Sequence, residues 1–206
     1  MMKMGHYSSA SPVAVGLAWV MALVGAPIVV ALVCAGLVVW TSTSNDLDHP
    51  RFKDRMHPGA ALVRGTGHLG YLIRTGADKH REDVHRGPSH CVEWCLLAGV
   101  AVGLLTALVP PLALWAVWWG LAVALGTFSH VVADWTTPSG VPMCATWNYF
   151  RYGEVWRRHS LHWFATDSAG EKYLMVPALF VVSGLMVLGM VGLLGRVVSL
   201  LTGWTW

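Results

Sequence analysis

Gly126-Thr127-Phe128-Ser129-His130-Val131-Val132-Ala133-Asp134-Trp135-Thr136-Thr137-Pro138-Ser139-Gly140-Val141-Pro142 is the stretch that decides the fold. It ends a long apolar run with a histidine, an aspartate and a proline-glycine stop. At positions i and i+4 of a helix, His130 and Asp134 share one face and can bind one metal ion. A helical His–Asp hydrogen bond would use the same spacing, so the pair alone is weak evidence. Its setting is stronger: ionisable groups at membrane depth are costly, so they face a cavity and serve a function.

Working outward, the 206 residues are 55% hydrophobic and only 12% charged, and the mean hydropathy is +0.52. That composition describes a membrane protein, with residues 1–206 forming a single helical domain. A net charge of +3 gives no reason to expect a nucleic-acid partner. The four cysteines, Cys34, Cys91, Cys95 and Cys144, have no zinc-knuckle spacing and read as small apolar packing residues. The N-terminal apolar run reads as a retained membrane helix, not a cleaved signal.

Apolar segments fall at 7–24, 27–41, 91–109, 112–136 and 174–195. Gly25-Ala26-Pro27 interrupts the first two. That break permits either one long kinked span or a tight hairpin of two helices. Pro110-Pro111 predicts the start of the helix over 112–136. All of the 14 Lys and Arg except Lys3 and Arg196 lie in the segments 42–90 and 137–173. These flank a helical pair, so they share one membrane face, and the positive-inside rule makes that face cytoplasmic. The hairpin reading adds the N-terminus to it and gives an all-α polytopic bundle of about five membrane helices, with a metal site at its cytoplasmic end. Residues 57–75 read as an interfacial amphipathic helix. Trp147, Tyr149, Phe150, Tyr152, Trp156 and Trp163 suit the headgroup level.

Three further clusters meet His130 and Asp134 at that face. Asp46, Asp48 and His49 follow the second apolar run, where two carboxylates beside an imidazole can hold one metal and bridge a second; helix-end turn chemistry would use the same residues. His85-Arg86-Gly87-Pro88-Ser89-His90 enters the next helix, with Gly87-Pro88 as its turn and Ser89 as its N-cap. Arg86 either clamps a phosphate oxygen or serves as a topology charge. His6 reaches the site only in the hairpin. Glu171 is a ligand, a general base or a favourable acid at a helix start. His159 and His162 read as exposed loop groups, and His57, His68 and His80 as surface groups.

The ordered set resembles the YdjM family of LexA-binding, inner-membrane-associated metal-dependent hydrolases. The resemblance rests on Gly5-His6, Asp46-Leu47-Asp48-His49-Pro50, His85 through His90, Ser129-His130 through Asp134 to Pro142, and more weakly Asp167 through Glu171. It covers roughly residues 5–175. The family is similar to the zinc-dependent phospholipase C and single-strand nuclease superfamily. The resemblance implies a bacterial inner-membrane enzyme with His6, Asp46, Asp48, His49, His85, His90, His130 and Asp134 as ligands. This chain departs from the family after Val141-Pro142, where Met143-Cys144-Ala145-Thr146-Trp147-Asn148 replaces an apolar-Trp-Pro stretch.

The function expected is hydrolysis of a phosphoester, on a membrane lipid or another amphipathic substrate. Asp48, Asp134, Arg86 and Glu171 are the expected catalytic groups. Two or three zinc ions suit the mixed nitrogen and oxygen donors, with manganese and iron as alternatives. A di-iron oxidase or desaturase would share the histidine clusters, but no His-His pair is present and Asp-x-Asp-His is foreign to it. A non-catalytic regulator would instead use the basic loops 50–84 and 143–165 to bind a cytoplasmic partner. A Ser129–His130 hydrolase is disfavoured, because adjacent helical side chains point about 100° apart.

Overall fold

The computed structural model describes residues 3–45 and 86–202, with side chains described for residues 5–45 and 86–192. The described residues form an all-helical bundle without strands. Helix α1 (Lys3–Leu23) and α2 (Ile28–Thr41) are two separate helices packed on each other. Between the two readings of residues 7–41, the structure therefore shows the hairpin. Gly25, at φ 78°, supplies the left-handed residue that the tight turn needs, and Pro27 leads into α2.

The α1 residues facing the core are Ala10, Ala14, Leu17, Ala18 and Met21. They recur at helical spacing and meet Ala31, Cys34 and Val38 of α2. Most are small, which lets helix axes approach closely where water contributes no driving force. His6 lies one turn before Ala10 and Thr41 one turn after Val38. Both side chains are buried, so the core stripes of α1 and α2 run directly into polar groups at one end of the bundle.

A short helical turn over Pro88–His90 precedes α3 (Val92–Ala107). Ser89 does not cap α3: Cys91 holds that position without a side-chain bond, and the Ser89 hydroxyl lies 2.9 Å from His90 Nδ1. Pro110-Pro111 open only the four-residue helix α4 (Pro110–Ala113). The long helix α5 (Ala116–Trp135) starts later. Trp115 breaks the run with φ −111° and ψ 12°, and its carbonyl then accepts from the N–H groups of Trp118 and Trp119.

Helix α5 is the central element and packs against α1, α2 and α3. Gly99 of α3 faces Gly120 of α5, and a Cβ on Gly99 would stand 2.7 Å from the Gly120 carbonyl oxygen. Gly126 makes the corresponding approach to α2, where an added Cβ would lie 2.5 Å from Val38 O. The buried stripe Ala116, Gly120, Val123, Thr127 ends on His130 and Asp134.

The 137–173 segment also holds a short amphipathic helix, α6 (Ala145–Tyr152). Glu93 of α3 starts it, accepting from the backbone N–H groups of Ala145 at 3.1 Å and Thr146 at 2.8 Å. Gly153, at φ 67°, ends it. Trp147, Tyr149, Phe150, Tyr152 and Trp163 are exposed, while Trp156 is half-buried. Buried Asn148 ties the segment together by donating to the carbonyls of Pro142 and Arg157, each at 2.8 Å. A π-helical turn over Glu171–Met175 leads into the last helix, α7 (Val176–Thr202), which packs on α1.

Among the described residues, two helical stretches are long and apolar enough to cross a membrane, Ala116–Trp135 and Glu171–Gly192. The first is 56% buried and the second 6%, so one is the bundle's centre and the other presents its apolar surface outward. Ile28–Thr41 and Val92–Ala107 are shorter apolar helices. The residues 57–75 of the expected amphipathic helix lie outside the described residues.

Candidate metal centre

His6 enters from the start of α1, His90 from the turn before α3, and His130 and Asp134 from the end of α5. All four side chains are fully buried. Their meeting follows from antiparallel hairpins: the first turn of α1, the end of α2, the entry to α3 and the end of α5 all lie at one end of the bundle. The imidazoles of His6 and His130 stack with centroids 3.8 Å apart and planes 10° from parallel.

The backbone fixes the chemistry of His130. Its Nδ1 lies 2.6 Å from the carbonyl oxygen of Ser42. A carbonyl only accepts, so Nδ1 carries a proton, and in the neutral imidazole Nε2 then presents a lone pair. That nitrogen is 3.1 Å from His90 Nε2 and 3.6 Å from Asp134 Oδ2. His90 Nε2 is also 3.6 Å from Asp134 Oδ2. Ser89 at His90 Nδ1 can donate or accept, so His90 can offer His130 an N–H or offer a cation its lone pair. The other carboxylate oxygen, Oδ1, faces His6 Nε2 at 3.8 Å.

These spacings suit a metal ion. Ligand atoms about 2.0–2.1 Å from a tetrahedral zinc stand about 3.3–3.4 Å from one another. The triangle of His90, His130 and Asp134 Oδ2 has sides of 3.1, 3.6 and 3.6 Å. One ligand atom from each of His6, His130 and Asp134 also falls within 4.8 Å of the other two. Imidazoles and a carboxylate in a buried site form a donor set for zinc, manganese or iron.

Arg86 closes the other side of the carboxylate. Its Nε lies 3.2 Å from Asp134 Oδ2, and its Nη2 donates to Oδ1 at 3.2 Å. Its Nη1 donates to Thr137 Oγ1 at 2.9 Å, and the Thr137 hydroxyl donates to the Asp134 carbonyl oxygen at 2.7 Å. Arg86 is therefore a buried ion-pair partner, and two of its five N–H groups donate hydrogen bonds, to Asp134 Oδ1 and Thr137 Oγ1.

Asp46, Asp48, His49 and His85 lie outside the described residues, as do His57, His68 and His80. Glu171 is buried, and its carboxylate accepts the Asp167 backbone N–H at 2.7 Å, the role of an acid at a helix start. His159 is held by Asn148 at 2.8 Å, and His162 is exposed; neither is among the grouped ligands. Residue-type reasoning missed the Ser42 carbonyl and Thr137. Thr137 carried a readable signal, because it follows Asp134 by three positions, where a helix-end hydroxyl meets the preceding turn. The Ser42 carbonyl carried none. The loop is stitched to this centre through its backbone: Leu161 N–H donates to Trp135 O, Trp163 N–H to Thr136 O, and Val92 N–H to Met143 O.

No curated protein and no solved structure matches the chain. A family model does match, over residues 1–198, and it is described as YdjM inner membrane protein. A match over nearly the whole length places the chain in the YdjM inner membrane protein family.

Proposed function

We propose that this protein is a membrane-embedded, metal-dependent hydrolase of phosphoesters, acting at the cytoplasmic headgroup level on a lipid or similarly amphipathic substrate. The observation that carries the reading is the buried meeting of His6, His90, His130 and Asp134, with donor spacings suited to a metal ion. A bundle needing only stability would place apolar side chains there, since burying four ionisable groups is costly.

A divalent ion held by these residues supplies Lewis-acid activation of water and of a phosphoryl oxygen. The protein's own groups do the rest. The Ser42 carbonyl keeps His130 in one tautomer, and the Arg86 guanidinium orients Asp134. The N–H groups of Arg86 beyond those bonded to Asp134 and Thr137 are donors for an anionic phosphoryl oxygen. Asp46, Asp48, His49 and His85 complete a second metal position in this reading.

Five spans are proposed: α1, α2, α3, α5 and α7. Helix α2, with 14 residues, covers about 21 Å at 1.5 Å per residue, so it needs the polar turn at its end to sit at the interface. The exposed aromatic side chains of α6 belong at headgroup depth. Because that segment is bonded to the backbone of residues 135–143, the metal centre lies just beneath the headgroups.

The test is elemental metal content of the detergent-purified chain beside His130→Ala and Asp134→Asn, followed by a phosphoester and phospholipid screen of the loaded protein. Stoichiometric zinc or manganese, lost in both variants, with phosphate released from a lipid, supports the reading. Iron with oxygen-dependent products, or protein that stays metal-free after reconstitution, overturns it.

A further inference from the structure

We propose that Arg86 is a positioning residue: together with Thr137 it fixes the plane of the Asp134 carboxylate, so that one oxygen serves His6 and the other serves the His90/His130 pair. The inference rests on the metal-centre reading above and adds a role that a phosphate clamp or a topology charge does not have.

Four observations carry it. First, Arg86 meets both carboxylate oxygens, with Nε 3.2 Å from Oδ2 and Nη2 3.2 Å from Oδ1. A hydrogen bond to one oxygen and a close ionic contact at the other set an orientation, whereas a point charge would set only a distance. Second, the oxygens are divided: Oδ1 is 3.8 Å from His6 Nε2, and Oδ2 is 3.6 Å from both His90 Nε2 and His130 Nε2. A carboxylate free to turn about its own axis would not hold that division. Third, the guanidinium is itself anchored. Thr137 is fully buried, accepts from Arg86 Nη1, and is bonded to the Asp134 carbonyl. Arginine, aspartate and threonine thus close one small ring on the last turn of α5. Fourth, the Arg86 backbone is left-handed at φ 62°, a conformation that residues with a side chain adopt at a cost. The same turn delivers His90 four residues later. One strained turn therefore brings the cation to one side of the carboxylate and an imidazole to the other.

A mere countercharge predicts different behaviour. Lysine would then replace Arg86 without loss, and neutralising position 86 would strengthen binding of a divalent cation by removing a nearby positive charge. Positioning predicts weaker binding in both cases.

The experiment uses the full chain purified in detergent. Zinc affinity is read by chelator competition, and site geometry by cobalt(II) absorption, for wild type, Arg86→Lys, Arg86→Gln, Thr137→Val and Thr137→Ser. The result expected is a loss of about 10–100-fold in zinc affinity for Arg86→Lys, Arg86→Gln and Thr137→Val, with a changed cobalt spectrum. Thr137→Ser, which keeps the hydroxyl, should match wild type. Elution volume and thermal midpoint establish that each variant is folded; if the Arg86 variants are not, the Thr137 pair decides. Wild-type affinity in Arg86→Lys and Thr137→Val, or tighter zinc binding in Arg86→Gln, overturns the positioning role alone. A wild-type chain that takes up neither metal overturns the metal-centre reading, and this role with it.

Discussion

Gly126→Ala should damage the metal centre without touching any group in it. Helix α2 passes so close to α5 at this point that an added Cβ would stand 2.5 Å from Val38 O, and closer still to Thr41 Oγ1. The Thr41 side chain can rotate, but the Val38 carbonyl is part of the helix and cannot. Ordinary contact begins at 3.4 Å, so the end of α2 must retreat by about 0.9 Å, an overpacking that costs about 1–3 kcal/mol. Ser42 lies one turn beyond Val38, and its N–H is bonded to the Val38 carbonyl, so it moves with it. The Ser42 O to His130 Nδ1 distance of 2.6 Å then grows to about 3.5 Å, where a hydrogen bond is effectively lost. His130 loses the partner that fixes its tautomer, and metal affinity should fall about 10–100-fold. Gly36→Ala is the control, because nothing lies within 4 Å of its added Cβ. The assay is zinc competition with a chelating dye on both purified variants, beside their thermal midpoints. If Gly126→Ala binds zinc as wild type does, the coupling of helix approach to histidine orientation is refuted.

Other outcomes follow from the same geometry. Removing metal with a chelator should lower the thermal midpoint, since an ion present at 100 times its Kd stabilises the folded state by about 2.7 kcal/mol; equal midpoints with and without chelator would contradict a resident ion. Glu93→Ala removes the acceptor for the Ala145 and Thr146 N–H groups and should weaken α6 by about 0.5–2 kcal/mol, seen as faster amide exchange over residues 145–148 with little change in α5. In inside-out vesicles, a cysteine replacing Tyr149 should react with an impermeant maleimide and one replacing Gly25 should not, on a background lacking the native cysteines. The reverse pattern would invert the proposed orientation.

The helical class, the ends of the apolar runs and the shared face of His130 and Asp134 were all determined by the sequence. Each is a local property, because a helix repeats every 3.6 residues and its core stripe is written in its own spacing. On α5 that stripe runs from Ala116 through Gly120, Val123 and Thr127 into the two site residues. Charge distribution brought the polar clusters to one face on paper, through the positive-inside argument. Tertiary structure decided what touches what. The turn at Gly25 made α1 and α2 a hairpin, and only that turn puts His6 against His130; Gly25-Ala26-Pro27 by itself allowed a kink as readily. Arg86 became the partner of Asp134 through contacts across 48 residues. The proton on His130 is fixed by a backbone carbonyl 88 residues away in the chain, and a carbonyl has no residue type to recognise. Helix α6 was only partly legible: Cys144 caps it from its own segment through Trp147 N–H, but Glu93, 52 and 53 residues earlier, takes the N–H groups of Ala145 and Thr146, so part of its start signal lies in another helix. Periodicity reports how one segment faces the core, while the site is made by groups meeting between segments, which the packing of the bundle alone specifies.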